Sequence, residues 1–250
     1  SARRLVARRT DAVRMSVDEG RFYEPGTINI IIMTNMQLSS RARTRAVISA
    51  TEAKTAAMED LDVRSSVSPQ QNQATGTGTD EVLVVEGSGR PIENAGGHSK
   101  MGELIARAVY AGVKEAVYRQ NAMSGNRSVF HRLQERRLDL HGLLSRCDCS
   151  ADKDSIQGDL ARIDELLLQP RFASFIETAF AVSDAYERGQ IAGLEPFQLL
   201  CRNVADEIAG VRIEKQTEFI NSPEIPIVIR MSLNSLLNGL AGRNMGTVEN

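Results

Sequence analysis

Three groups of residues in the first half of the chain have the types and spacing for acid–base or polar chemistry at a carbonyl. The first is Gly96-Gly97-His98-Ser99-Lys100. Its glycines let backbone approach a ligand, and Ser99 opens a helix whose free N–H groups suit an anion or a polarised carbonyl. His98 is the only histidine before residue 131, and an unperturbed imidazole titrates where acid–base work is done. The same residues also read as a turn, a helix cap and a loop histidine. The second group is Ala74-Thr-Gly-Thr-Gly-Thr-Asp80. Thr75, Thr77 and Thr79 can line a pocket with hydroxyls and backbone donors, while Asp80 can orient a base or bind a hydroxyl. It lacks the Gly-Lys-Ser/Thr ending of a nucleotide-binding loop, and it equally reads as a turn before a strand. In the third, Glu52 and Lys54, flanked by Thr51 and Thr55, interrupt an alanine-rich helix; alone, such charges are usually a solvated face.

No helical stretch pairs His with Glu at metal-ligand spacing, and Cys147-x-Cys149 has no matching second pair, so neither a metal nor a cofactor is expected. With Cys201 these three thiols are expected to stay reduced. His131 and His141 stand at unrelated spacing and read as surface residues.

The elements that must position these groups alternate in the first half. Thr27 to Met33, TINIIIM, is a β-branched apolar run with Asn29 as its polar member, which predicts a central strand buried on both faces. Ser39 and Ser40 then cap a helix whose Ala42, Ala46, Ala50, Ala53, Ala57 and Leu61 form a narrow, small-residue face. Val82 to Val85 predicts a second strand. Ser99 to about Gln120 predicts a helix apolar over more than half its circumference, and therefore buried. After residue 128 the pattern is helix upon helix, with apolar faces at Ile156 to Leu168, Phe172 to Tyr186, Phe197 to Ile208 and Ile227 to Leu240. Pro170, Pro196, Pro223 and Pro226 fall where helices start or stop. The expected organisation is an α/β domain over residues 1–120 and an all-α domain of unassigned role over residues 129–250.

Composition narrows the classes of function. The chain has 250 residues, 42% hydrophobic and 25% charged, as a globular protein does. A net charge of -2 and a pI near 6.0 give no overall attraction to nucleic acid or anionic lipid. Arg3, Arg4, Arg8, Arg9 and Arg14 make a locally basic stretch, read as a solvated helix face. No apolar run approaches the roughly 20 residues of a membrane span, and the N-terminus lacks a signal-peptide pattern, so a cytoplasmic protein is expected.

Taken together, EPGTINII (24–31), ISATEAKTAAMEDL (48–61), ATGTGTD (74–80) and GGHSKMGELIARAVYAGVKEA (96–116) resemble the adenosylcobinamide amidohydrolase family, in order and spacing. The resemblance covers about the first 120 residues. It implies hydrolysis of the amide joining the aminopropanol arm of adenosylcobinamide to its corrin ring, leaving adenosylcobyric acid, with the corrinoid as substrate rather than cofactor. It places His98, Asp80, Thr27, Glu52 and Lys54 as candidate catalytic residues. Asn29, Thr51, Thr55, Thr75, Thr77, Thr79, Gly96, Gly97, Ser99 and Lys100 become candidate substrate contacts. It also implies a further α/β segment ahead of the Pro-Gly-Thr strand, where only residues 1–24 stand here, so the chain is expected to be part of a longer enzyme.

The order strand, helix, Thr-rich strand ending in Asp80 is similar, too, to self-cleaving αββα hydrolases, in which the residue opening the strand is the nucleophile and its freed α-amine the base. That pattern implies an αββα sandwich, Thr27 as nucleophile and a cleavage point between Gly26 and Thr27. Two other classes stay open: a non-catalytic corrinoid-binding or sensing module, and an amidohydrolase acting on another small amide. The C-terminal helices would then serve for self-association or partner contact.

Overall fold

The computed structural model describes residues 17–18, 21–22, 27–144 and 153–246; side chains at 17–18, 21–22, 141, 144, 153–160 and 244–246 are not described. The chain divides into two compact units, residues 1–127 and 128–250. In the first, β1 (Val17–Asp18) and β2 (Arg21–Phe22) form a short antiparallel pair. The central feature is a parallel pair, β3 (Asn29–Met33) against β5 (Glu81–Val85), with Asn29 opposite Glu81 and Met33 opposite Val85. Beyond its C-terminal end, β4 (Gln37–Leu38) pairs in parallel with β6 (Pro91–Ile92). Two long helices follow their strands: α1 (Ser40–Asp60) and α2 (Lys100–Asn121). The unit is therefore mixed α/β, as the alternation predicts.

Each helix starts where its sequence says. Ser39 accepts a hydrogen bond from the Ala42 N–H to cap α1, and Ser99 accepts from the Gly102 N–H to cap α2. The alanine face of α1 is buried: Ala42, Ala46, Ala50 and Ala57 are wholly inaccessible, joined by Met58 and Leu61. Methyl-sized side chains let α1 lie close to α2, whose Ile105, Val109 and Val113 complete this core with Ile32 of β3. At Gly102 even a β-carbon would collide with the Gly96 carbonyl, so glycine there is a steric requirement of the contact.

Two expectations need correction. The strand at residues 29–33 is not buried on both faces: Ile32 is buried, but Ile31 is 62% and Met33 77% exposed, with Leu83 and Val85 exposed beside them on β5. The helices cover one face only, and among the described residues β3 has β5 as its single neighbour, so it is an edge strand. Nor is α2 fully buried: Leu104 is 52% exposed, and the apolar side of the helix opens on a groove rather than on packed protein.

The second unit is helical among its described residues: α3 (Val129–Glu135), α4 (Leu140–Leu144), α5 (Lys153–Leu168), α6 (Pro170–Glu187), α7 (Glu195–Ala209) and α8 (Ile227–Gly246). Pro170 and Pro196 sit in the first turns of α6 and α7, where the missing N–H has no partner to lose. α8 runs through the core, with Val228, Ile229, Leu233, Leu236 and Leu240 buried. Its Asn234 and Asn238 pair their amides with the backbone N–H and C=O of Ile220 and Thr217 at 2.7–2.8 Å. These four bonds substitute for a strand partner and tie the loop preceding α8 to the helix. No described helix of either unit is long and apolar enough to cross a membrane. The arginine-rich stretch, Cys147 and Cys149 lie outside the described residues.

Candidate functional site

The polar centre of the first unit forms where α1 passes the N-terminal ends of β3 and β5. Lys54 is on the mostly alanine-lined face of α1 and is buried, 8% exposed. Its ammonium meets the carboxylate of Asp80, the residue immediately before β5, in an ion pair. Asp80 is held from other sides as well. One oxygen accepts from the Thr77 hydroxyl at 2.5 Å and from the Ile28 N–H at 3.1 Å. The other accepts from the Thr77 N–H at 2.9 Å and from Lys54. Burial alone would raise the pKa of this carboxyl, but the hydrogen bonds from Lys54 and Thr77, with the Lys54 charge, outweigh it and hold Asp80 below the ordinary value of 3.8. A carboxylate already accepting four hydrogen bonds is an anchor and a poor base.

Around this pair the threonine–glycine segment is fastened at both ends. The Thr55 hydroxyl donates to the Thr75 carbonyl at 3.3 Å, and the Thr27 hydroxyl donates to the Thr79 carbonyl at 2.8 Å. Gly76 is pressed against both charged groups: a β-carbon there would strike the Asp80 carboxylate and the Lys54 ammonium. The sequence reasoning missed this glycine, although the Thr-Gly alternation contained its signal. Asn29 lies within 3.5 Å of the Thr27 hydroxyl, which is exposed.

Thr27 also stands at one end of the groove between β3 and α2. The groove, about 810 Å³, is lined by residues 27–34 and by Met101, Leu104, Ala108 and Gly112 among others on α2, with no charged side chain among them. Its size falls within the roughly 300–1,000 Å³ of small-molecule sites.

Not every candidate joins this cluster. Glu52 is exposed on α1, and the Thr51 hydroxyl bonds only back to the Val47 carbonyl of its own helix. The His98 segment sits at the other end of the parallel pair, past β6. There Gly96 is buried and the Ser49 hydroxyl bonds the Ala95 carbonyl at 3.0 Å, while Gly97 and His98 are exposed. Gly96 takes a hydrogen bond from Ser99 and gives one to Asn94, and Lys100 is paired with Glu103. Ser49 precedes Lys54 by five residues on α1, about 7 Å along its axis, with His98 beyond it. No contact among the described residues links His98 to Asp80 or Lys54. Ser49 was also missed from sequence, a serine among alanines being indistinguishable from a solvated one.

No group of described His, Cys, Asp and Glu residues could hold a metal ion. His131 is exposed on α3, and His141 has no described side chain. Cys201 is buried in the helical core, where desolvation pushes its thiol up to about 12 despite a hydrogen bond with Ser232.

Comparison with known proteins gives a consistent picture. Residues 7–125 match the family model described as adenosylcobinamide amidohydrolase, CbiZ. An uncharacterized protein of Methanocaldococcus jannaschii is 51% identical over 98 residues, covering 39% of this chain and 38% of that protein. The chain thus spans well under half the length of this curated relative. No solved structure gives a significant match. The Lys54, Asp80 and Thr27 cluster, the groove and the His98 turn all fall within the residues that match the adenosylcobinamide amidohydrolase family model.

Proposed function

We propose that this domain hydrolyses the amide between the aminopropanol arm and the corrin ring of adenosylcobinamide, giving adenosylcobyric acid for corrinoid salvage in the cytoplasm. The observation that carries the reading is the Lys54–Asp80–Thr77 cluster, inside the family match and next to Thr27, whose exposed hydroxyl stands at one end of an uncharged groove. An apolar groove suits the methylated face of a macrocycle, and the polar end suits the amide arm.

In this reading Thr27 is the nucleophile. Its oxygen attacks the amide carbon, the amine leaves with a proton, and water then releases the acid from the threonine ester. The base is the Thr27 α-amine, freed by cleavage after Gly26. Asp80 and Thr77 fix the geometry of the segment that holds Thr27 through Thr79. The open apolar face of β3 and β5 is what a second sheet of an αββα sandwich would cover, which supports that architecture for the domain.

The test has two parts. Incubation with adenosylcobinamide should yield adenosylcobyric acid and free aminopropanol, separated by chromatography with mass detection. The intact mass should show a chain beginning at Thr27, absent in Thr27→Ala. Tight corrinoid binding without product would instead identify a binding or sensing module; neither binding nor product would end the corrinoid assignment.

A further inference from the structure

Lys54 is the least expected residue on its helix. Every other core-facing position from Ala42 to Ala57 is small and uncharged, and burying an ammonium is costly unless something offsets it. Asp80 offsets it, yet it occupies only one of the three N–H donors. The other two have no partner among the described residues, although 90% of the side chain is inaccessible. A lysine serving only to clamp the segment would gain from carbonyls placed to take these protons. Instead the segment facing Lys54 carries a bare glycine at 76, beside the ammonium, with Gly78 and Thr79 exposed just beyond.

We propose that the Lys54 ammonium is the group that holds the reacting oxygen in this site, with Asp80 as a positioning residue that keeps the ammonium aimed. The inference rests on the hydrolysis proposed above and assigns what that reading lacks, a cation for the developing negative charge. The balance is that of amide hydrolysis. The C–N bond breaks, water supplies the new C–O bond and the departing proton, and a neutral amide becomes a carboxylate and an ammonium. Negative charge first gathers on the former carbonyl oxygen, where a buried, fixed donor is most effective. It then remains on the product carboxylate. Lys54 therefore binds the product, adenosylcobyric acid, more strongly than the neutral substrate. Asp80, saturated by its four donors, takes no proton in the cycle.

Equilibrium dialysis of Thr27→Ala, which the reading above leaves without turnover, against adenosylcobyric acid and adenosylcobinamide, followed by corrinoid absorbance, reads this directly. The protein is expected to favour the acid about tenfold or more, the range of a charge-assisted hydrogen bond. Because Lys54→Met leaves Asp80 without its cation, the decisive variant is the double substitution Lys54→Met with Asp80→Asn, which removes both charges. Circular dichroism matching the native chain shows that it folds. In the same Thr27→Ala background it should lose the preference for the acid, while Lys54→Arg keeps part of it. A folded double variant that retains the preference, or a Thr27→Ala chain with Lys54 and Asp80 intact that binds both corrinoids equally, overturns the role of Lys54 and leaves the amidohydrolase reading standing. A native chain that binds neither removes the functional reading itself.

Discussion

Replacing Asp80 with Asn removes the charge that four donors converge on while leaving a lysine of 8% exposure in place. The Asp80 and Lys54 side chains are only 12% and 10% exposed, so water restores little of the lost interaction at either end. Stranding one member of a buried pair costs about 3 kcal/mol. In a unit of residues 1–127 this lowers Tm by roughly 10 °C. Thermal unfolding followed by circular dichroism should show one transition moving down while the helical unit's stays fixed. The pH dependence carries the same signature. Asp80 has a folded pKa below its ordinary 3.8, so its contribution is fully present above that value and is lost as pH falls through and below it. Asp80→Asn should therefore remove that part of the acid limb, and the curves of variant and native protein should converge at low pH. Adding Lys54→Met to Asp80→Asn should recover most of the loss, since the uncompensated charge is gone. A loss under 1 kcal/mol, or a double variant no more stable than Asp80→Asn alone, would show that the pair does not hold the segment.

Gly102→Ala drives a methyl group into the Gly96 carbonyl and should cost about 2 kcal/mol or more, by urea unfolding, although alanine is the better helix former. Cys201, with its thiol at about 12, should resist a thiol reagent at pH 8 in a Cys147→Ser, Cys149→Ser background until the helical unit unfolds. Asn234→Ala leaves the Ile220 N–H and C=O without their side-chain partner and should destabilise that unit by about 2 kcal/mol, visible as a lower denaturation midpoint.

Much of the fold was legible because local signals agreed with one another. Ser39 and Ser99 cap the helices they were expected to cap, and the alanine spacing identified the buried face of α1 residue by residue. The β-branched run at 27–33 announced a strand but not how many neighbours it has. Its composition suits burial on both faces, whereas the structure covers one, because covering the other requires partners remote from this stretch of sequence. The same limit explains α2, whose apolar circumference exceeds what α1 can bury. At the site, the residue types pointed to Lys54, Asp80 and Thr27 separately. Their meeting depends on the parallel register of β3 with β5 and on where α1 crosses them, and neither can be read from spacing. Glu52, two residues from Lys54, looked equivalent in sequence but lies on the exposed side of the helix.

Whether the chemistry belongs to the Thr27 end of the sheet or to the His98 end is best settled by turnover of adenosylcobinamide in three proteins: native, Thr27→Ala and His98→Ala. The geometry predicts adenosylcobyric acid from the native protein, a loss of at least a hundredfold in Thr27→Ala, and a His98→Ala rate within a few fold of native, as expected when a nucleophile is lost and a distant exposed residue is changed. Unimpaired hydrolysis by Thr27→Ala together with its loss in His98→Ala would contradict the account and move the site to the turn before α2.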